Sequence, residues 1–175
     1  MQVPILETDR LTLRGHRVAD FAELVAMWGD PDVTRYIGGT PSTREETWAR
    51  LLRYAGHWEL MGFGFWAVLE RATNRYVGDV GIGEFKREME PALTDPELGW
   101  SLATWAHGKG FATEGVRAVL AWGTTHFAGR RMVCGIAREN RASIRVAQKV
   151  GFEPLAPSTY RGQDGMVYGY VPRRD

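Results

Sequence analysis

The chain has 175 residues, 44% hydrophobic and 25% charged, which suits a single domain spanning 1–175 with enough apolar material for a proper core. Twenty-two Lys and Arg against 21 Asp and Glu leave a formal charge of +1, so no general affinity for polyanions follows and nucleic acid is not an expected partner. No apolar run approaches the roughly 20 residues of a membrane helix, and the first residues lack the basic and apolar regions of a signal peptide. No membrane role is therefore expected, and the cytoplasm is the expected compartment.

In chain order, Leu11-Thr12-Leu13-Arg14 alternates and reads as a first strand. Residues 20–28 place Phe21, Leu24, Val25 and Trp28 at helical spacing. Asp30-Pro31 starts a second helix with proline at its first position, and Gly38-Gly39-Thr40-Pro41 breaks it. Thr43 and Glu46 form a capping box, predicting a helix to about His57 that buries Trp48, Leu51 and Leu52. Residues 65–70 and 76–85 read as strands joined by a turn at 72–75. Between Gly78, Gly81 and Gly83 the spacing is wrong for a dinucleotide fingerprint and no helical pattern follows, so a strand with close backbone approaches is predicted.

A polar connection over 86–95 leads to a strand at 97–102, a glycine-rich loop and a helix over 113–127 with Val116, Val119, Leu120 and Phe127 on one face. Residues 131–136 form another strand, in which the single cysteine, Cys134, alternates with Met132 and Ile136 and is expected to be buried. One cysteine excludes an intramolecular disulfide or a cysteine metal cluster. The histidines at 16, 57, 107 and 126 lack ligand spacing, so no metal is expected. A short helix opens at Asn140 as N-cap and closes at Gly151 as C′. Asp164-Gly165 then predicts the turn of a hairpin between Tyr160 and Val171, with Tyr168 and Tyr170 on one side.

The segment most informative for function is His107-Gly108-Lys109-Gly110-Phe111-Ala112, between a strand and a helix. A helix N-terminus offers unpaired N–H groups and the positive end of the helix dipole, and there glycines allow close approach, Lys109 adds a cation and Ala112 leaves room. That chemistry suits a phosphate or diphosphate. The alternative is that Gly108 and Gly110 only shape the turn.

Together these elements resemble the GNAT superfamily of N-acetyltransferases. The family pattern Gln/Arg-x-x-Gly-x-Gly/Ala reads His107-x-x-Gly110-x-Ala112 here, followed by Asn140-x-x-Ser143 and Gly151-Phe152. The opening residues from Leu6 to Arg14, with Asp30-Pro31-Asp32-Val33-Thr34-Arg35-Tyr36, resemble the branch that acetylates ribosomal-protein N-termini. The resemblance implies an α/β (α+β) GNAT fold, a mixed and mainly antiparallel sheet with helices on both faces, and acetyl-CoA as cosubstrate. It implies cofactor contacts from Trp100, Ser101, Leu102, His107, Gly108, Lys109, Gly110, Phe111, Ala112, Asn140 and Ser143, with the Leu102 N–H near the thioester oxygen.

Glu97, at the start of the strand leading to the loop, is the first candidate for the general base that frees the amine of its proton. Asp79 and Glu84 rank behind it. Many relatives place a tyrosine acid seven residues after the Asn. Ala147 stands there, so either the Ser143 hydroxyl assists or water protonates the leaving thiolate. Tyr36, Arg44, Trp66 and Tyr160 are the candidate acceptor-lining residues. The acceptor is an amine, either a protein N-terminus or a small molecule such as an amino acid, polyamine or aminoglycoside. A homodimer is a family-level expectation. The competing possibility is a catalytically silent acyl-CoA-binding or sensing module.

Overall fold

Alternate residues of one central strand belong to two different cores, and this places the helices. In β3 (Phe65–Glu70), Trp66 and Val68 pack with α4 (Phe111–His126) and α5 (Arg141–Lys149). Phe65, Ala67 and Leu69 pack with α1 (Phe21–Trp28), α2 (Pro31–Thr34) and α3 (Arg44–Met61). Because successive side chains of a strand point to opposite faces, helices cover both sides of the sheet. The computed structural model describes residues 2–172.

The remaining strands are β1 (Leu6–Glu7), β2 (Leu11–Arg14), β4 (Tyr76–Gly83), β5 (Met89–Glu90), β6 (Glu97–Leu102), β7 (Met132–Ala137), β8 (Glu153–Tyr160) and β9 (Gln163–Tyr170). All nine form one sheet in the order β1-β2-β3-β4-β6-β7-β9-β8-β5. Every neighbouring pair is antiparallel except β6 and β7, which are parallel. This is the mixed, mainly antiparallel architecture expected. The glycines of β4 are demanded by neighbours: a Cβ at Gly78 would stand 2.2 Å from the Ser101 carbonyl oxygen, and one at Gly81 2.3 Å from the Phe65 Cα.

Caps define the helices as predicted. Asp30 accepts from the Asp32 N–H with Pro31 behind it, Thr43 and Glu46 cap each other reciprocally, and Asn140 caps α5. Boundaries and faces need correction. α3 continues to Met61, where Gly62 in the left-handed region ends it. Its buried stripe is Thr47, Leu51, Tyr54 and Trp58, whereas Trp48 and Leu52 are 37% and 53% exposed. The aromatic rings at 54 and 58 set the helix rotation, and Trp48 packs edge-on against Phe21 at the rim.

The last hairpin turns at Arg161-Gly162, with φ of 50° and 75°, and not at Asp164-Gly165. Those two lie within β9 opposite Thr159 and Ser158. Glycine is needed at 165 for closeness, since a Cβ there would sit 2.9 Å from the Ile136 carbonyl oxygen of β7. β1 and β5, two residues each, are too short to show a period in sequence.

Candidate active site

The parallel pair β6 and β7 share one registered contact, Glu97 opposite Val133. On its other edge β6 is paired with β4 along its full length. The Ala103 N–H donates to the Val77 carbonyl on the β4 side. Main-chain groups alternate between the two edges, so those of Leu98, Trp100 and Leu102 face the β7 side; the bridge to Val133 occupies that edge at Leu98, and beyond it no ladder partner meets Trp100 or Leu102 among the described residues. An extended chain carrying amides could pair with this edge.

At the end of that edge lies the glycine loop. Gly108 and Gly110 have φ of 74° and 83°, values that cost other residues on the order of 1–2 kcal/mol. Gly110 is the N-cap of α4, and the Glu114 N–H bonded to its carbonyl is the first helical bond. The N–H groups of Phe111, Ala112 and Thr113 therefore have no helical acceptor. Among the described residues none takes the N–H of Gly108, Lys109 or Gly110.

Arg10, which sequence reasoning did not single out, fastens this loop. Its Nη1 donates to the Lys109 carbonyl at 3.0 Å, its Nε donates to Glu114 at 2.7 Å, and its guanidinium lies 4.7 Å from the Phe111 ring centroid. Burial opposes ionisation of Glu114, but hydrogen bonds from Thr8 and Arg10 outweigh it and hold its pKa below the usual value. The His107 ring bonds the Leu102 carbonyl through Nε2 at 2.8 Å, tying the loop to β6. The Lys109 ammonium lies 4.8 Å from the Trp105 ring centroid.

On α5, the Asn140 Oδ1 accepts the Ser143 N–H at 3.0 Å, which is ordinary capping. No hydrogen bond of the Ser143 hydroxyl occurs among the described residues. Ala147 has no exposed surface and packs in the core.

Across the sheet, Glu97 shares a face with Asp79, since Gly83 opposes Glu97 and Asp79 opposes Ser101. Its Oε2 accepts from Arg87 Nε at 2.8 Å, and Arg87 Nη1 lies 3.3 Å from the Tyr160 hydroxyl. Arg87 comes from the connection after β4, and it joins Glu97 to Tyr160 over more than sixty residues of chain. Burial works against its charge, but Glu97 and Tyr160 raise its pKa above the usual value. Glu97 Oε1 has no hydrogen-bond partner among the described residues.

Asp79 is unsuited to the role of base. It is fully buried, with His16 Nε2 at 2.8 Å, Trp28 Nε1 at 3.0 Å, Tyr54 at 3.5 Å and a hydrogen bond from the Tyr76 hydroxyl. Burial and the neighbouring Asp79 carboxylate push the Tyr76 and Tyr54 hydroxyls well up, so both stay protonated donors. Glu84 pairs with Lys86 on the surface. His57 is also committed, its Nδ1 lying 2.6 Å from the Phe63 carbonyl and its Nε2 accepting the Glu84 N–H at 3.0 Å.

Of the acceptor candidates, Tyr160 reaches Glu97 through Arg87. Trp66 does not line this side: it is fully buried on the α4 face, donates to the Pro4 carbonyl and packs against Trp58 and Trp122. A large apolar ring at the centre of β3 has no route to solvent. Tyr36 and Arg44 contact Arg35 and Phe21 respectively, and no contact links them to Glu97 among the described residues.

The model of the "Acetyltransferase (GNAT) domain" family matches residues 10–153. The chain belongs to the GNAT acetyltransferase family. This GNAT protein is 29% identical over 149 residues to "Uncharacterized N-acetyltransferase p20" of Bacillus licheniformis, covering 85% of this chain and 82% of p20. It is 28% identical to a solved acetyltransferase of Agrobacterium tumefaciens str. C58, with a TM-score of 0.83, covering 98% of this chain and 96% of that one. The fold alone is shared with a spermidine N-acetyltransferase of Vibrio cholerae solved with CoA and spermine, at 18% identity and a TM-score of 0.74 over 94% and 96% of the two chains.

Proposed function

We propose that this GNAT enzyme transfers an acetyl group from acetyl-CoA to a primary amine, with Glu97 as the base. The observation that carries it is the run of unclaimed main-chain N–H groups from Gly108 into α4, at the end of a β6 edge that β7 leaves unpaired beyond Leu98 and with Glu97 at that strand's start. When bound, acetyl-CoA supplies an activated thioester.

The loop amides at 108–112 would hold its diphosphate, and the main-chain groups of Trp100 and Leu102 would align its pantetheine amides. The Leu102 N–H, on the unpaired edge, would stabilise charge developing on the carbonyl oxygen. Ser101 lies on the opposite register and contributes only by position. Arg87 holds Oε2 of Glu97 and leaves Oε1 to receive the ammonium proton. With Ala147 in the core, the Ser143 hydroxyl is the group on α5 that could hand a proton toward the departing thiolate.

The opening residues that resemble the ribosomal-protein branch support a protein N-terminal amine as the acceptor. Small amines are the competing acceptors. The test is an acceptor panel of peptides, amino acids and polyamines with acetyl-CoA, read as release of free thiol. Turnover of any primary amine is expected, and retention of CoA with no turnover on any amine would refute transfer.

A further inference from the structure

The face of the sheet that carries Glu97 also gathers three guanidinium groups. Arg53 and Arg87 both lie against the Phe85 ring, 5.5 and 4.9 Å from its centroid. Arg50, one helical turn before Arg53 on α3, stacks 3.5 Å from the Trp28 ring centroid, and its Nε is buried with no hydrogen-bond partner among the described residues. Arg87 has a carboxylate, Glu97. Among the described residues neither Arg50 nor Arg53 has a carboxylate within ion-pair distance. Burial first, and then the charges of Arg50 and Arg87, pull the pKa of Arg53 below its usual value.

The other acidic groups nearby are already committed. Asp79 is saturated beneath the cluster by His16, Trp28 and Tyr76, Glu84 pairs with Lys86, and Asp95 pairs with Arg130 and Arg131. Glu46 holds the Thr43 N–H at the start of α3, where it feels the charge of Arg50 from one turn away. A groove lined by residues 83–87 with Leu93, Asp95 and Glu97 runs beside the cluster. Arg53 is exposed beside the Phe85 ring and Arg50 is partly buried on the Trp28 ring; neighbouring guanidiniums without a counter-ion repel one another, and a planar anion relieves this because their forked donors match a carboxylate in two parallel hydrogen bonds.

We propose that the acceptor is an amine that also bears a carboxylate, bound by Arg53 with Arg50 behind it, so that its amino group is presented to Glu97. The assignment rests on the amine-acetylating role proposed above. It disfavours polyamines, whose every charge would be repelled by this cluster. The carboxylate could be a chain terminus or an acidic side chain close to the amine.

The test uses the full chain saturated with CoA and matched ligands: amino acids and di- and tripeptides as free acids and as carboxamides, and Ala-Glu-amide beside Ala-Gln-amide. Spermidine is the cationic control. Calorimetry measures binding, and thiol release with acetyl-CoA measures turnover. At least one acid should bind ten-fold or more tightly than its neutral partner. The terminal and side-chain arms show which source of carboxylate is used. Arg53→Gln should abolish the preference and Arg53→Lys should restore part of it. Equal binding of every acid and its partner, or tighter binding of spermidine, overturns the proposal even if Arg53→Gln fails to fold. A carboxylate preference without thiol release leaves the site standing and refutes acetyl transfer, whereas turnover without preference does the reverse.

Discussion

Glu97 was visible from its place at the start of a strand, but its immediate environment was not. Arg87, ten residues earlier in a connection that looks merely polar, supplies the hydrogen bond that orients it. Replacing Glu97 with Gln should keep CoA affinity and lower kcat/KM by about 10²–10⁴-fold. The loss should be greatest below the amine's pKa, roughly 8 for an α-amino group. A thiol-release pH profile checks this, and parallel wild-type and mutant profiles would exclude Glu97 as the base. Cys134 will not confuse that assay. It is 2% exposed, and burial, then the nearby Glu97 carboxylate, pushes its thiol well up, so native protein should not react with a thiol reagent over minutes while denatured protein reacts with one equivalent. The loss of Trp66 from the acceptor list is also a residue-scale lesson. An aromatic side chain shows its size in sequence, while the face it takes depends on strand register.

At the scale of elements, local chemistry was readable wherever it acts within a few residues. The Thr43–Glu46 box and the Asn140 cap both form as composition predicts because donor and acceptor lie three positions apart. Thr43→Ala should cost about 1 kcal/mol, a fall in Tm of roughly 2–4 °C by calorimetry for a domain of this size. Gly110→Val places a branched side chain at a φ of 83° and crowds the free amides. CoA retention should be lost by more than ten-fold in a binding titration while the far-ultraviolet dichroism stays native. The hairpin shows the opposite case. Asp164-Gly165 carries the stronger turn signal, yet the chain turns at Arg161-Gly162, and Gly165 lies within β9 where β7 approaches too closely for any side chain. Tertiary contact thus accounts for a glycine that looked like turn chemistry.

For the molecule as a whole, acid stability depends on carboxylate partnerships, one local and one between distant segments. Burial opposes ionisation of Asp20, but the hydrogen bonds of Arg14 and of the Arg17 N–H outweigh it and depress its pKa. Glu114 is depressed likewise by Thr8 and Arg10. A carboxylate whose folded pKa lies below its unfolded value stabilises the fold above the unfolded pKa of roughly 4, and that stability disappears as pH falls through the folded value. Urea unfolding should therefore show stability declining below about pH 4, with a shallower slope in Asp20→Asn.

The order of the longer strands and helices, the capping residues and the glycine loop before α4 were determined by the chain's own sequence, because period, cap and turn chemistry operate over a few neighbouring residues. The gap between β6 and β7, the burial of Asp79, the clamp of Arg10 on the loop and the meeting of Arg53, Arg87, Glu97 and Tyr160 were decided only by the tertiary structure. Each of these depends on strand register or on side chains separated by tens of residues, and separation along the chain carries no information about distance across a sheet.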